Sequence, residues 1–324
     1  MRPIHPDQET MTKLVDRIGR EHASRRLEMQ AHYSSLLLSG RHLHVHMEEF
    51  PFIAWLIKTT LKSTGIWPLA VKNSTKYRIV QHTVPLPHLP HSFEGFRILH
   101  LSDLHIEGMI DKGQALQDTL ATLDFDLCVL TGDFRFLTYG NYDKTLILME
   151  SLVKSIKAPF GTTGILGNHD WLEMVPGLEA CGIRMLLNET QALEKGADAI
   201  WLLGLDDMHY YETGNLEKAV KLAPQNAVRI LLVHSPEIIP EAHESGMDLY
   251  LCGHSHGGQI CLPGGTPIIT HSRCDRDYKA GPWLYESMRG YTSRGVGTSL
   301  FPVRLFCPPE IIIHTLTSTF SSQE

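Results

Sequence analysis

From residue 96 onward, short apolar runs of strand length alternate with stretches of helical spacing. The helical spacing is clearest over residues 113–123 and 145–156. Five apolar runs are predicted to be buried strands, at 96–101, 126–130, 162–166, 228–233 and 248–252. Strands that alternate with helices are typical of βαβ units, so we predict an α/β fold.

Polar side chains follow each of the five predicted strands. They are Asp103, His105, Asp133, Asn168, His234, His254 and His256. Each of these alone has an ordinary explanation as a turn residue, a helix cap or a core histidine. Ligand sites of open α/β sheets lie at the carboxyl ends of strands, so the repeated pattern predicts one shared site.

These seven side chains offer oxygen and imidazole nitrogen donors and no thiolate. Such a set suits Mn²⁺, Mg²⁺, Fe or Zn²⁺ better than it suits a cysteine-rich structural zinc. It exceeds what one open catalytic ion needs, and two ions about 3.5–4 Å apart can clamp a phosphoryl group. His169 could stabilise phosphoryl charge or protonate a leaving oxygen, and we expect Asp170 to orient its ring.

Composition narrows the function classes. The chain has 324 residues, with 43% hydrophobic and 20% charged residues, which is ordinary for a soluble globular protein. Its net charge of −7 argues against a broad nucleic-acid-binding surface. The 6 cysteines show no CxxC spacing, which argues against a zinc knuckle or a dithiol redox site and favours a reducing cytoplasm.

Charge divides the chain into two parts. Residues 1–92 hold 12 basic and 7 acidic residues, a net of +5, which leaves −12 for residues 93–324. Pro85, Pro87 and Pro90 predict an extended linker between them. We therefore predict a basic N-terminal region over 1–92, starting with a solvated helix or a partly disordered lead-in, and a catalytic domain over 93–324.

The stretch 50–69 predicts an amphipathic helix. Its apolar face would hold Ile53, Leu56, Ile57 and Leu61. Lys58 and Lys62 lie toward another face, and no apolar run reaches the ~18 residues that a membrane-spanning helix needs. Two interpretations stay open: a helix lying on an anionic membrane surface, or a helix packed on the protein core.

The strand-end blocks resemble those of calcineurin-like metallophosphoesterases. They are 102–105, 131–133, 166–170, 232–234 and 252–259, within a match of about 93–317. The resemblance implies a four-layer αββα sandwich of two mixed sheets flanked by helices. It also implies two metal ions: the first is held by Asp103, His105, Asp133 and His256, and the second by Asp133, Asn168, His234 and His254. Asp133 would bridge the two ions.

Further segments resemble a bacterial, membrane-associated branch of that superfamily. They are 89–95, 256–259, 293–299, 302–305 and 308–310. This branch includes a chlamydial-type diphosphatase that cleaves UDP-2,3-diacylglucosamine to UMP and 2,3-diacylglucosamine 1-phosphate in lipid A biosynthesis. The resemblance implies the same lipid-linked nucleotide substrate, Mn²⁺ as the first choice of metal, and attachment to the cytoplasmic face of the inner membrane.

The sequence departs from this branch in its N-terminal anchor, and other substrates stay open. The hydrophobic anchor of the branch is reduced here to the amphipathic stretch, which favours peripheral attachment. The alternative substrates are another phospholipid or a nucleotide, and intact ligands disfavour a metal-free scaffold. The arginines considered for phosphate binding are Arg135, Arg273, Arg294 and Arg304. Arg135, beside the bridging ligand, could contact a second phosphate or point away.

Overall fold

The computed structural model describes residues 5–39, 51–268 and 274–318. The α-helices in these ranges are α1 (Gln8–Ile18), α2 (Arg20–Ser39), α3 (Pro51–Ser63), α4 (Trp67–Asn73), α5 (Gln114–Leu120), α6 (Asp143–Ser155), α7 (Val175–Ala180), α8 (Leu216–Val220) and α9 (Ile239–Glu244). The strands are β1 (Arg78–Pro85), β2 (Arg97–Leu101), β3 (Leu127–Leu130), β4 (Thr162–Gly164), β5 (Ile183–Met185), β6 (Glu189–Lys195), β7 (Asp198–Gly204), β8 (Arg229–Leu232), β9 (Leu249–Cys252), β10 (Gly281–Tyr285), β11 (Met288–Thr292) and β12 (Glu310–Thr317).

The strands form two mixed sheets. The first has the order β1-β12-β2-β3-β4-β5 and the second the order β10-β11-β9-β8-β7-β6. In the first sheet β2, β3, β4 and β5 are parallel, while β12 runs antiparallel to β2. In the second, β7, β8, β9 and β11 are parallel, with an antiparallel strand at each edge. The predicted strands are confirmed, and their carboxyl ends meet at one edge of each sheet.

Strand alternation builds the core in layers. In β2, Ile98 lies in the apolar layer between the two sheets, whereas Leu99 packs in the layer beneath the helices. The layer between the sheets joins residues of both, such as Val129 of β3 and Ile230 of β8. Because neighbouring side chains in a strand face opposite ways, each sheet is covered on both faces. The result is the predicted sandwich of two sheets flanked by helices.

The N-terminal helices belong to this core. The Asp7 carboxylate accepts the Thr10 N–H at 2.8 Å at the start of α1, and Gly19, with φ +98°, ends that helix. Leu14 and Ile18 are buried in the same cluster as the helices over the first sheet. The predicted helix is present, but it is neither solvated on all sides nor disordered, because the narrow apolar face of α1 packs on the protein.

Strand β1 also belongs to the catalytic fold. It pairs in parallel with β12 along its whole length, from Arg78 beside Glu310 to Pro85 beside Thr317. A domain boundary at residue 93 would separate two hydrogen-bonded strands, so that boundary is too late. The prolines do form a connection, but the connection joins two strands of one sheet.

Helices α3 and α4 pack on the protein through one face and leave apolar side chains exposed on the other. Leu61 and Ala70 are buried against Val303, so one face packs on the protein. Trp55 and Leu69 are 58% and 53% exposed on the outer side. Within 5–39, 51–268 and 274–318, every helix is too short or too polar to span a bilayer.

Candidate metal centre

The predicted ligands come from five strand ends, three in one sheet and two in the other. Asp103 and His105 follow β2, Asp133 follows β3 and Asn168 follows β4. The other three residues, His234, His254 and His256, follow β8 and β9 of the second sheet. All seven are buried, so the side chains of both sheets close on one small polar space.

Backbone conformation turns many of these side chains into the space. Left-handed φ angles occur at Asp103 (52°), His105 (41°), Asp133 (58°), His254 (70°) and His256 (49°). Residues with a β-carbon rarely adopt this conformation, and such strain concentrates at functional sites. The surrounding fold therefore holds these residues in unfavourable backbone conformations that direct their side chains into the polar space.

Two glycines permit the close approach of the loops. A β-carbon at Gly167 would collide with the Asp133 carboxylate, and one at Gly253 would collide with Ser102 and the Asp103 carboxylate. The glycines of the Gly-Asn-His and Gly-His-Ser-His segments are therefore needed for the loops of different strands to touch.

One half of the site consists of Asp103, His105 and His256, with Asp133 beside them. The Nε2 atoms of His105 and His256 lie 3.1 Å apart. His256 Nε2 lies 3.5 Å from Asp103 Oδ1, and His105 Nε2 lies 3.6 Å from Asp133 Oδ2. These distances place the predicted first-ion ligands around one point.

The other half lies on the opposite side of Asp133. His234 Nε2 is 3.3 Å from Asp133 Oδ2 and 2.9 Å from Asn168 Oδ1. His254 Nδ1 is 3.0 Å from the same Asn168 oxygen. Asp133 Oδ2 is therefore within reach of both halves, which is the position that a bridging ligand requires.

The donor set fits divalent metal ions. Nδ1 of His105 lies 2.7 Å from the Arg135 carbonyl oxygen, and Nδ1 of His234 lies 2.7 Å from the Thr131 carbonyl oxygen. A carbonyl oxygen only accepts, so each Nδ1 carries the proton and each Nε2 directs a lone pair into the site. Imidazole lone pairs beside carboxylate and amide oxygens are ligands of Mn²⁺, Fe and Zn²⁺.

The buried carboxylates of the site favour bound cations. Burial raises the pKa of Asp103 to about 6. Burial also opposes ionisation of Asp133, but His234 and His169 outweigh it and hold the pKa of Asp133 well below its usual range. Burial disfavours a charged His234, yet the carboxylates of Asp133 and Asp103 raise its pKa to about 10. The buried carboxylates thus favour positive charge at this point.

His169 lies at the open side of the centre. Its side chain is 12% exposed, and its Nε2 is 3.8 Å from Asp133 Oδ2. Its Nδ1 is held by the Phe136 carbonyl oxygen at 2.8 Å, and its amide donates to Asp133 Oδ1 at 2.9 Å. Nε2 is therefore the ring atom that faces the candidate metal ligands.

The expectation that Asp170 orients the His169 ring is wrong, because Phe136 fills that role. The Asp170 carboxylate instead accepts backbone N–H groups. Its donors are Asp133, Phe134, Arg135 and Gly167. Asp170 thus ties the loop of the bridging ligand to the loop after β4.

The structure does not bring the three described arginines of the predicted set together at the centre. Arg135 is fully buried, stacks 4.7 Å from the Trp171 ring and donates to the carbonyls of residues 139 and 140. Arg304 is fully buried and donates to main-chain carbonyls, including that of His256 at 3.0 Å. Arg294 is 30% exposed and pairs with Glu310 at 3.0 Å. Arg273 lies outside the described residues.

One neighbour of the centre escaped the sequence analysis. The ring centroid of His209 lies 4.2 Å from that of His254, and Nδ1 of His209 pairs with the Glu237 carboxylate. A signal was present, because Asp206 and Asp207 follow β7 as the metal ligands follow their strands. Asp207 accepts the amides of His209 and Tyr210 and so forms the turn that carries His209.

Two mixed sheets with a cluster of carboxylates and imidazoles at their strand ends define a metal-dependent phosphoesterase. A family model described as calcineurin-like phosphoesterase matches residues 96–258. The chain belongs to this calcineurin-like phosphoesterase family.

Its relatives include proteins of the same class. Uncharacterized metallophosphoesterase YkuE of Bacillus subtilis (strain 168) is 31% identical over 250 residues, covering 74% of this chain and 85% of the relative. Phosphodiesterase YaeI of Escherichia coli (strain K12) is 29% identical over 228 residues, covering 67% of this chain and 80% of the relative. Among solved structures, calcineurin-like phosphoesterase YfkN from Bacillus subtilis has a TM-score of 0.40 at 15% identity, covering 62% of this chain and 81% of that chain.

Proposed function

We propose that this phosphoesterase hydrolyses an acylated nucleotide, UDP-2,3-diacylglucosamine, to UMP and 2,3-diacylglucosamine 1-phosphate, with two divalent ions, preferably Mn²⁺. The observation that carries the lipid part is an apolar groove of about 390 Å³ beside the metal ligand His256. A soluble nucleotide has no apolar chain that would occupy such a groove next to the reacting phosphate.

Helix α3 and two loops form the groove. Leu56, Ile57 and Leu61 line it from α3, and Ile260, Leu262 and Phe306 line it from the loops. His256 and Gly258 lie at the end nearest the metal centre. Its volume is in the range of pockets that bury small amphiphilic ligands. The groove would take acyl chains while the diphosphate reaches the ligand cluster.

The residues divide the chemistry among them. Asp103, His105, Asp133 and His256 would hold one ion, and Asp133, Asn168, His234 and His254 the other. When bound, such ions polarise phosphoryl oxygens and lower the pKa of water. Water would add to one phosphorus, the P–O bond of the diphosphate bridge would break, and the products would be UMP and 2,3-diacylglucosamine 1-phosphate, the leaving one taking up a proton on its freed oxygen.

His169 serves the leaving phosphate. Because its Nδ1 donates to the Phe136 carbonyl, its Nε2 is the ring atom that would accept the proton lost by the attacking water and pass it to the leaving oxygen. Its side chain is mostly enclosed, so the proton passes to the substrate with little competition from water.

We propose that α3 and α4 place the groove on an anionic membrane surface at the cytoplasmic face of the inner membrane. Exposed Trp55, Leu56 and Leu69 would enter the headgroup region, and the exposed Lys58 and Lys62 would attract anionic lipid. This arrangement would let the acyl chains move from the bilayer into the groove.

A phosphodiester of another phospholipid or of a nucleotide is the second candidate substrate. The relative YaeI is named a phosphodiesterase, which favours a diester over a diphosphate. The metal centre would serve both reactions, because each needs the same attack on a phosphoryl group.

The experiment is a mass-spectrometric assay of the purified chain with Mn²⁺ on UDP-2,3-diacylglucosamine and on a soluble chromogenic phosphodiester. Wild type should release UMP, and Asp133→Ala and His169→Ala should lose most activity on both substrates. Leu56→Glu should lower the ratio of lipid to soluble activity, whereas Leu222→Glu, at an exposed leucine outside the groove, should not. Turnover of the soluble diester without release of UMP would contradict the proposed substrate.

A further inference from the structure

We infer that Arg26 of helix α2 is a positioning residue that joins the loop after β4 to the loop after β7 and so holds both sides of the metal centre in place. Residue 26 lies far upstream of the segment 96–258 that matches the family model. The inference concerns the metal centre itself and does not depend on the lipid substrate.

Arg26 makes three contacts in a fully buried position. Its Nη2 donates to the Asp170 carbonyl oxygen at 2.8 Å. Its Nε lies 3.6 Å from Asp206 Oδ2, and its guanidinium carbon lies 3.4 Å from the Tyr211 ring centroid. A planar guanidinium can serve partners in several directions at once, which a lysine ammonium on a single stem cannot.

The first partner, Asp170, connects Arg26 to the candidate metal ligands of the first sheet. Asp170 follows Asn168 and His169 directly in the loop after β4. The carboxylate of the same residue accepts the amide of Asp133 at 2.8 Å. Arg26 therefore holds the main chain at a point where the bridging ligand, the Asn168 ligand and His169 are all fixed.

The second partner, Asp206, connects Arg26 to a candidate metal ligand of the second sheet. Asp206 opens the loop after β7, and the next residue, Asp207, accepts the amides of Tyr210 and Tyr211. That turn places the His209 ring against the ring of His254. Arg26 thus fixes the base of the loop that packs on a metal ligand.

Charge supports the pairing. Although burial opposes ionisation of Asp206, Arg26 and then His22 hold the pKa of its carboxyl well below the usual range. His22 Nε2 lies 2.8 Å from Asp206 Oδ2. An ion pair in a fully buried place is not needed to dock a helix, because apolar residues of similar size often do that as well.

A neighbouring residue on α2 secures the same loop after β4. Gln30 Oε1 accepts the Leu172 amide at 2.8 Å, and Gln30 Nε2 donates to Glu173 at 2.9 Å. Helix α2 is therefore bound to the active-site loops by directional contacts, and Arg26 alone reaches both loops among the contacts described above.

The test compares Arg26→Met and Arg26→Lys with wild type in the full chain. We would measure the Mn²⁺ dissociation constant by calorimetry, the melting temperature, and kcat and KM on bis(4-nitrophenyl) phosphate. Partners behind metal ligands change affinity or activity by roughly 10–100-fold. We expect Arg26→Met to weaken Mn²⁺ binding and lower kcat by about 10-fold or more, with little change in KM, and Arg26→Lys to fall between.

Arg25→Met is the matched control, because Arg25 is the exposed neighbour on the same helix. It should leave the Mn²⁺ dissociation constant and kcat unchanged. An Arg26→Met protein that melts earlier but keeps wild-type Mn²⁺ affinity and kcat would show a purely structural role and overturn the inference. If Arg26→Met does not fold, Arg26→Lys decides: wild-type values for both quantities would overturn it equally.

Discussion

The carboxylate of Asp170 accepts the backbone N–H of Asp133 at 2.8 Å, so a buried acid on the loop after β4 fixes the main chain of the proposed bridging ligand on the loop after β3. The two loops follow neighbouring strands of the first sheet, β3 and β4. The position of the Asp133 side chain therefore depends on a residue that lies behind the site and outside the ligand set.

Asp170→Asn should damage both folding and catalysis. The new amide group would face N–H donors where a carboxylate oxygen now accepts them, leaving buried donors unpaired. We expect a loss of about 1–3 kcal/mol in the free energy of unfolding for each unpaired donor, measured in urea. Activity should fall as well, because Asp133 loses its support.

Asp124→Asn provides the control for that substitution. The Asp124 side chain is 88% exposed and makes only a long contact of 3.8 Å to Arg97. It should change neither stability nor activity. An Asp170→Asn enzyme with wild-type kcat would contradict the role given to Asp170.

Removal of metal should destabilise the protein. Without metal ions, the buried carboxylates of Asp103 and Asp133 have only the neighbouring imidazole of His234 to offset their charge. Melting in EDTA should therefore occur at a lower temperature than in Mn²⁺, by a stabilisation of about 2.7 kcal/mol per site at 100 times the dissociation constant. Asp133→Asn should remove most of the Mn²⁺ response, and a full response in that variant would exclude Asp133 as a ligand.

Three histidines on the first sheet should make the fold sensitive to mild acid. His314 lies between His82, at 2.9 Å, and His100, at 3.3 Å. Burial lowers the pKa of His82 to about 4 and that of His100 to about 3, and it lowers the pKa of His314 as well. The unfolded chain takes up protons near pH 6.5, whereas the folded chain stays neutral at these sites.

The direction of the pH effect on stability follows from the lower pKa of these histidines in the folded chain than in the unfolded chain. The stability that these neutral histidines contribute is complete above about pH 6.5 and is lost as the pH falls toward 4. The free energy of unfolding in EDTA should therefore fall between pH 7.5 and 4.5, and less steeply in His82→Gln. His88→Gln, at an exposed position, should keep the wild-type slope. Equal slopes in all three proteins would refute the contribution of His82.

The outer side of α3 and α4 should bind anionic membranes. Trp55→Ser with Leu69→Ser should reduce co-sedimentation with vesicles containing phosphatidylglycerol, because both apolar side chains are exposed. Added salt should weaken binding of the wild type, since lysines contribute through charge. Leu222→Ser is the control, and a wild type that does not sediment with the vesicles would contradict membrane attachment.

Much of the metal centre could be predicted because its residues follow strands directly. A parallel strand delivers the residue after it to a known edge of the sheet, so Asp133 and Asn168 could be placed without knowing any distance. Arg135 and Asp170 could not be assigned in this way. Whether an arginine beside a ligand faces the substrate or Trp171 depends on the packing of other segments.

Sequence by itself determined the alternation of strands and helices and the donor chemistry at the strand ends, because these follow from local periodicity and from residue type. The resemblance to the family rests on the motif blocks at those strand ends. Only the tertiary structure decided that β1 joins the catalytic sheet, that α3 borders an apolar groove, and that Arg26 reaches Asp170 and Asp206. The physical reason is that these contacts join residues far apart in the chain, and the narrow apolar faces and single buried charges that direct them leave little local pattern.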